Sequence, residues 1–510
     1  MTMNKLNSLV LFLVITCSST LFAQQNKRIQ FVEKYIEKAR MDWQVPGLAV
    51  GIIKDGKIVM SKGFGTQEQG KSIPVDGNTL FAIASNTKAF ISTALAILVE
   101  EGKIAWDDPV QKYLPYFQLY DDYVSQHSTI RDLLCHRVGL GTFSGDVIWY
   151  KSNYSAEETI KKAAKVQQAY EFRAGYGYTN LMFITAGEVI KAASGKTWDA
   201  YIREKIFRPL KMDRTETSTD QLLSKNNVAT PHKPINGSNI PIAWANWDNM
   251  GAAGGIISST NDMLKWIKLQ LDEGGNIFSA SSQQAFWTMH NSRKVSPNAK
   301  KVYTGRHFSG YGLGWGLADY AGKMIVSHGG GYDGMYSRVV LVPEEELGIV
   351  VLTNSMKGIS TAVCNFIVDQ YLGLPQKDWS KSFLKNEKKW NAERKTMLQN
   401  IALDRKANLP ASLSTSKYTG TYECSMYGTI EVKADEDELE LIFPDAPHLN
   451  AKLSHWQGDQ FKIEWNETHA WFDFGIVAFI IDDHKKVEKI EFDVPNNDIF
   501  FHEINALKKD

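Results

Sequence analysis

Residues 81–90 read FAIASNTKAF, and the chain continues from Ile91 as ISTALAILVEEG, so Lys88 stands inside a run that is otherwise largely apolar. Such a run is built for burial, and a buried ammonium costs several kcal/mol unless it is paired or put to use. With a helix starting at or near Ser85, the Ser85 hydroxyl and the Lys88 amine lie one turn apart on the same face, because positions i and i+3 are helix neighbours. That is a nucleophile beside a base. The positive end of the helix and an apolar wall both disfavour the ammonium and make a neutral amine accessible. Spacing alone does not decide the matter, since Ser382–Lys385 and Ser414–Lys417 repeat it. Both copies sit in a charged stretch, where a lysine is simply solvated.

Two further elements stand out. In GYGYTNLMFITAGEVI, Tyr178 and Asn180 are two residues apart just before an apolar helical run, so on an extended or turning backbone both can face one cleft. In IVSHGGGYDGMYS, an apolar strand ends at His328, and Gly329 to Gly331 then allow close approach of a substrate and leave amide groups to bind an oxyanion. By itself this last element would read as a strand edge with a glycine turn.

The three elements in this order resemble the serine β-lactamase and penicillin-recognising family, in particular the branch of class C β-lactamases, D-alanyl-D-alanine carboxypeptidases and related esterases. TLFAIASNTKAF, IRDLLCHRVGL, GGIISSTNDMLKW and HGGGYDGMYS all look like family segments, and the resemblance spans about residues 30–375. It implies that Ser85 forms an acyl-enzyme, that Lys88 takes or steers its proton, and that Tyr178 is a phenolate-like base or a proton relay. Asn180 would orient the substrate amide. The backbone N–H of Ser85 and of Gly331 would form the oxyanion hole, with Gly330 beside it in the substrate-binding strand. His328-Gly329-Gly330 departs from the family's Lys-Thr-Gly, as peptidase and esterase members do. A histidine there, near the substrate carboxylate, would be cationic only part of the time and would make acidic substrates favoured as pH falls toward 6. No metal or organic cofactor is implied. Class C-like β-lactamase activity, and a penicillin-binding sensor or scaffold that does not turn over, remain the alternatives.

Composition agrees with a folded chain of more than one domain: 510 residues, 43% hydrophobic and 22% charged. With 57 basic against 57 acidic residues there is no electrostatic footprint for nucleic acid, and a small-molecule or peptide substrate is expected. MTMNKLNSLVLFLVITCSSTLFAQQ has the layout of a secretory signal over residues 1–23, which implies a periplasmic or secreted protein, with a weak lipoprotein-box likeness at Cys17 as the rival reading. No later run is long enough to span a bilayer. The remaining Cys135, Cys364 and Cys424 are odd in number and far apart, so no disulfide framework is expected. Cys135-His136 lacks a partner cluster for a metal and reads as structural.

The expected organisation is a serine hydrolase domain over 24–375, a charged and partly helical linker over 376–415, and an all-β domain over 416–510. In the first, LAVGIIKDGKIVMSKGFG gives a hairpin turning at Asp55-Gly56, and KMIVSHGGG, YSRVVLVP and LGIVVLTN give three more strands. Strands at both ends with helices between predict an α+β fold, one antiparallel sheet closed by N- and C-terminal segments. In the last, GTIEVKA, ELELIF, QFKIEW, AWFDF and KVEKIEF read as strands of a barrel or sandwich that resembles a lipocalin-like module. Its Trp456, Phe461 and Trp465 are expected in the core.

Overall fold

A computed structural model describes residues 25–406, 408–435 and 438–509. The expected signal over residues 1–23 and Cys17 lie outside the described residues. The hydrolase domain is organised on one eight-stranded antiparallel sheet. Its strands are β1 (Gly47–Lys54), β2 (Lys57–Gly65), β3 (Asn291–Ser292), β4 (Ser309–Tyr311), β5 (Gly316–Tyr320), β6 (Lys323–Tyr332), β7 (Met335–Val342) and β8 (Leu347–Thr353), in the order β2-β1-β8-β7-β6-β5-β4-β3. The β1–β2 hairpin turns with φ of 50° at Asp55 and 69° at Gly56, the left-handed pair that a tight hairpin needs. β1 pairs with β8, so the two ends of the domain meet side by side within the sheet. The three short strands β3 to β5 extend the sheet beyond the sequence expectation, because two to five residues are too few to show a period.

Each face of the sheet carries its own core. The helix over residues 25–42 and α-helix Ile359–Leu372 bury Val32, Ile36, Phe366 and Ile367 against Val340, Ile349 and Val351. The opposite face receives α-helices Thr87–Glu100, Asn180–Ser194 and Thr260–Leu271 in the larger core. The first two of these helices carry Lys88 and Asn180, described below.

The charged stretch after residue 376 is mostly one 25-residue helix, Trp379–Leu403. Its first turn is anchored: Trp379 donates from Nε1 to Asp369 at 2.6 Å, and Trp43 donates to Ser380 Oγ at 2.9 Å. Beyond it the helix is largely solvated, with Trp390 50% exposed. The C-terminal domain is a closed eight-stranded barrel: β9 (Gly420–Cys424), β10 (Gly428–Asp435), β11 (Glu438–Ile442), β12 (Ala451–Gln457), β13 (Gln460–Trp465), β14 (Ile476–Ile481), β15 (Val487–Asp493) and β16 (Asn505–Lys508). Each strand pairs with the next, and β9 pairs with β16 to close the ring. At eight strands the interior is just wide enough for side chains to fill it, and Tyr422, Ile430, Leu441, Phe461, Val477 and Phe479 are buried.

One strand expectation fails. AWFDF, residues 470–474, lies in the loop between β13 and β14, where Ala470 and Phe472 are buried and the loop packs on the hydrolase domain. There Lys233 donates to the carbonyls of His469 and Phe472 and pairs with Asp473. Glu503 also accepts from the Gly145 N–H at 2.8 Å, and Tyr154 donates to Asp445 at 2.6 Å. Cys135, Cys364 and Cys424 are free and buried. Among the described residues no helix is long and apolar enough to cross a membrane.

Candidate active site

Ser85 lies in a 3-10 turn, Ala84–Asn86, that leads into α-helix Thr87–Glu100. The residue before it, Ala84, has φ of 48°, a left-handed conformation that a side chain adopts only when its surroundings impose it. The surroundings are the glycine strand. A Cβ on Gly330 would stand 2.2 Å from the Ile83 carbonyl oxygen and 2.3 Å from Ser337 Oγ, so only glycine lets the turn seat here. Ser337 in turn donates to the Ile83 carbonyl at 2.7 Å. Gly330 thus serves the approach of the Ser85 turn as well as lining the cavity. Strand β5 pairs with β6 only over Lys323–Ser327, which leaves residues 328–332 as an open edge on that side, alongside Ser85.

Lys88 is fully buried, and its Nζ makes three contacts: Ser85 Oγ at 3.1 Å, Asn180 Oδ1 at 2.7 Å and the Ala253 carbonyl at 2.7 Å. A neutral amine has two N–H groups and one lone pair. Donating to the two carbonyl oxygens leaves the lone pair for the Ser85 hydroxyl proton, so the neutral form is fully satisfied. Burial pulls the Lys88 pKa down to about 7, opposed by the charge of Asp146. The amine is therefore partly neutral at physiological pH.

Asn180 is the first residue of helix Asn180–Ser194; its amide oxygen takes the Lys88 proton and its Nδ2 donates to Asp146 at 2.6 Å. Expected to orient substrate, it is seen here holding the lysine. Tyr178 lies with its ring 4.8 Å from Lys88 Nζ, and its phenol stands beside Ser85. Burial pushes the phenol well above its ordinary range, which disfavours a phenolate and leaves a neutral proton relay. Its backbone is fixed at both ends: the Tyr178 N–H donates to Thr142 Oγ1 at 3.1 Å and its carbonyl accepts from Phe143 at 2.8 Å.

His328 differs from expectation in its charge. The ring is buried, with Nε2 2.7 Å from the Tyr311 hydroxyl and Nδ1 2.6 Å from the Gly329 carbonyl. A carbonyl only accepts, so Nδ1 carries the proton and Nε2 accepts from Tyr311. Burial, aided by Lys88, drives its pKa down to about 3, so it holds no charge near pH 6. His136, read as structural, also belongs to this cluster: its Nδ1 accepts from the Thr179 N–H at 3.2 Å and its ring lies 4.4 Å from that of Tyr178.

The expected residues meet at one cavity of about 630 Å3, lined by Ser85, Tyr178, Asn180, His328 and Gly329 to Gly331, with Lys88 beneath its floor. Sequence reading missed several of its walls. Asp146 is buried, accepts from Asn180 and from Trp149 Nε1 at 2.9 Å, and is pushed up to about 8 by burial. Arg293 and Arg338 line the cavity with no carboxylate partner among the described residues. Arg338 stands as a charge within the apolar strand YSRVVLVP, the same kind of anomaly that marks Lys88. Trp471, Asp498 and Ile499 reach in from the barrel domain. No group of three His, Cys, Asp or Glu side chains among the described residues is placed to hold a metal ion.

Comparison with known proteins agrees with this arrangement. The family described as Beta-lactamase matches residues 32–369, and a domain of unknown function (DUF3471) matches residues 404–508. An Aspergillus campestris protein named unguisins hydrolase ungD' is 30% identical over 427 residues, 79% of this chain and 77% of its own. Protein flp of Staphylococcus aureus is 28% identical over 336 residues, 64% of each chain. Among solved structures, an octameric penicillin-binding protein homologue from Pyrococcus abyssi superposes with a TM-score of 0.63 at 23% identity, covering 94% of this chain and 100% of that one. D-amino acid amidase from Ochrobactrum anthropi SV3 does so with a TM-score of 0.54 at 23% identity, over 70% and 99%. By the match over residues 32–369, which contains every catalytic candidate, this chain belongs to the beta-lactamase family, as a serine hydrolase with a C-terminal eight-stranded barrel.

Proposed function

We propose that this serine hydrolase cleaves amide or ester bonds of small substrates through an acyl-enzyme on Ser85, in the manner of D-amino-acid peptidases and esterases. The observation that carries the reading is the Lys88 amine, buried, pulled to about 7 and 3.1 Å from Ser85 Oγ. Neutral Lys88 accepts the hydroxyl proton as Oγ attacks the substrate carbonyl carbon. The oxyanion is held by the N–H groups of Ser85 and Gly331, each contributing about 3 kcal/mol in comparable sites. The proton passes through Tyr178 to the leaving nitrogen or oxygen as that bond breaks. Water then attacks the acyl-enzyme, giving its proton to Lys88, and Ser85 leaves with a proton restored. The hydrolase name of the 30% identical relative supports bond hydrolysis as the outcome.

A class C-like β-lactamase is the second reading, favoured by Arg293 and Arg338, whose unpaired guanidinium groups suit a substrate carboxylate. Intact-mass measurement after exposure to a fluorophosphonate, a penicillin and a D-alanyl amide, followed by turnover of whichever labels Ser85, separates the readings. A protein that takes no label on Ser85 overturns both and leaves a non-catalytic scaffold. Export is proposed from the layout of residues 1–23; N-terminal sequencing of protein from a bacterial envelope should begin near Gln24, and an intact Met1 would overturn it.

A further inference from the structure

A second cavity, of about 440 Å3, lies between the sheet and α-helix Ile359–Leu372, which lends it Asn365 and Val368. Strand alternation turns it away from the nucleophile. Ser337 reaches the Ile83 carbonyl beside the Ser85 turn, so its neighbour Arg338 points to the opposite face, with Val340 of the core beneath that helix. On β6, His328 reaches Tyr311 in the catalytic cluster, so Ser327 also takes the opposite face. The two cavities share Arg293, Gly316, Ser327 and Arg338, and they meet where the pairing of β5 with β6 ends at Gly316 and Ser327. Lys294, Arg306 and Ser309 line the second cavity alone.

Four cationic side chains, Arg293, Lys294, Arg306 and Arg338, line this cavity, and no carboxylate does. None of the four has an ion-pair partner among the described residues. Arg338 is the extreme case, its Nε buried with no hydrogen-bond partner. Arg306 spends only its Nε, on the Asp319 carbonyl at 3.1 Å, and its guanidinium lies 3.9 Å from the centre of the Tyr303 ring. The Asp319 carboxylate is already taken by the N–H groups of His307 and Phe308. Burial lowers the Arg306 pKa from its ordinary value, and the charge of Arg338 lowers it further. Cations brought together without a counter-charge repel one another, and a partly buried guanidinium with unmade bonds adds a desolvation cost. An anion removes both penalties. Guanidinium forks match the oxygens of a phosphate group two at a time, and a dianion neutralises more of the four charges than a carboxylate does. Ser309 and Ser327 bring hydroxyl donors, neither spent on another side chain among the described residues. Leu317, Val340 and Val368 give the cavity an apolar side, and its volume falls in the range of small-molecule sites, about 300–1,000 Å3.

We propose that this second cavity binds a small organic phosphate, its dianionic group held by Arg306, Arg338 and Lys294 and its apolar body lying against Leu317, Val340 and Val368. The site is distinct from acyl transfer at Ser85 and does not rest on that reading.

Calorimetry on the full-length protein with phenyl phosphate, inorganic phosphate and benzoate tests it, at one fixed ionic strength so that screening is the same for every probe. Phenyl phosphate should bind, and benzoate should bind roughly tenfold more weakly or worse, having lost charged hydrogen bonds. Inorganic phosphate binding more weakly than phenyl phosphate identifies an organic ester as the ligand; equal binding keeps the phosphate site and identifies free phosphate as its source. Arg306→Gln should weaken phenyl phosphate binding by roughly 10- to 100-fold, and Lys294→Gln, at the exposed rim, by roughly 2- to 5-fold. Arg306→Lys, which keeps the charge without the fork, should recover part of the loss. Tyr178→Phe alters the first cavity only and should leave phenyl phosphate binding unchanged. Circular dichroism reports the fold of each variant, and Lys294→Gln with Arg306→Lys decides the matter if Arg306→Gln does not fold. Benzoate binding as tightly as phenyl phosphate, or neither phosphate binding more tightly than about 1 mM, overturns the proposal. So does an affinity that Arg306→Gln and Lys294→Gln leave unchanged, or a loss in Tyr178→Phe as large as that in Arg306→Gln, which would place the anion at Ser85 instead.

Discussion

The pair Ser85–Lys88 and the pair Ser382–Lys385 have the same spacing, and each stands at the start of a long helix, of 14 and 25 residues. The first is sunk between sheet and helices, with Lys88 fully buried; the second is exposed on the helix that links the two domains. Neighbour geometry and the positive helix end are thus common to both. What differs is desolvation, the leading cause of the lowered Lys88 pKa. A helix end without burial makes no general base. The comparison also runs within the linker helix, whose first turn carries Trp379 in the hydrolase core while Trp390, three turns on, is half-exposed.

The comparison is broken first at the nucleophile. Ser85→Ala should lose ester hydrolysis by roughly 10⁴-fold or more while staying folded by circular dichroism, and Ser382→Ala should retain full kcat. Comparable losses at both serines, or none at Ser85, would end it. Next in size is stability. Trp379→Ala should cost about 3 kcal/mol or more in denaturant unfolding, as a large buried aromatic does, while Trp390→Ala should stay within about 0.5 kcal/mol. Similar values at the two sites would mean the linker helix is either docked or free along its whole length.

Removing the proton carriers comes third: Lys88→Met and Tyr178→Phe should each lower kcat on the order of a hundredfold, and Lys385→Met should not. The smallest effect is the pH profile. The proposed base is the neutral amine, populated above its pKa, so kcat/KM for a neutral ester should rise with pH through about 7 and then level off. Ionised Asp146 favours the ammonium, and with its pKa raised to about 8 only a minority of it is ionised through this limb. Asp146→Asn should therefore move this limb to lower pH by less than about one unit. A limb that moves upward would reverse the assigned coupling. His328, with its pKa near 3, should add no separate limb near pH 6.

The hairpin at Asp55-Gly56, the long strands of the sheet, the reactive Ser-x-x-Lys and the all-β second domain were legible because each is written in a short window, as a turn dipeptide, an alternation or an i, i+3 spacing. The strands of two to five residues were not, being shorter than any period. AWFDF was read as a strand because apolar alternation records burial without saying against what. Its Trp471 packs against another domain, 140 residues away along the chain from the Gly331 it covers.

The residue types proposed for the chemistry were thus legible in the sequence alone, and their charge states were not. Lys88 is pulled to about 7, His328 to about 3, and Asp146 is raised to about 8 by how completely distant segments exclude water from them. Asn180 shows the same division. Its motif placed it near Ser85, but only packing revealed that its amide is spent between Lys88 and Asp146. The outer wall of the cavity, Arg338 from strand β7 with Trp471 and Asp498 from the barrel, is likewise assembled from segments that no local spacing relates. Desolvation and cavity shape are sums over long-range contacts, and only the folded chain brings those contacts together.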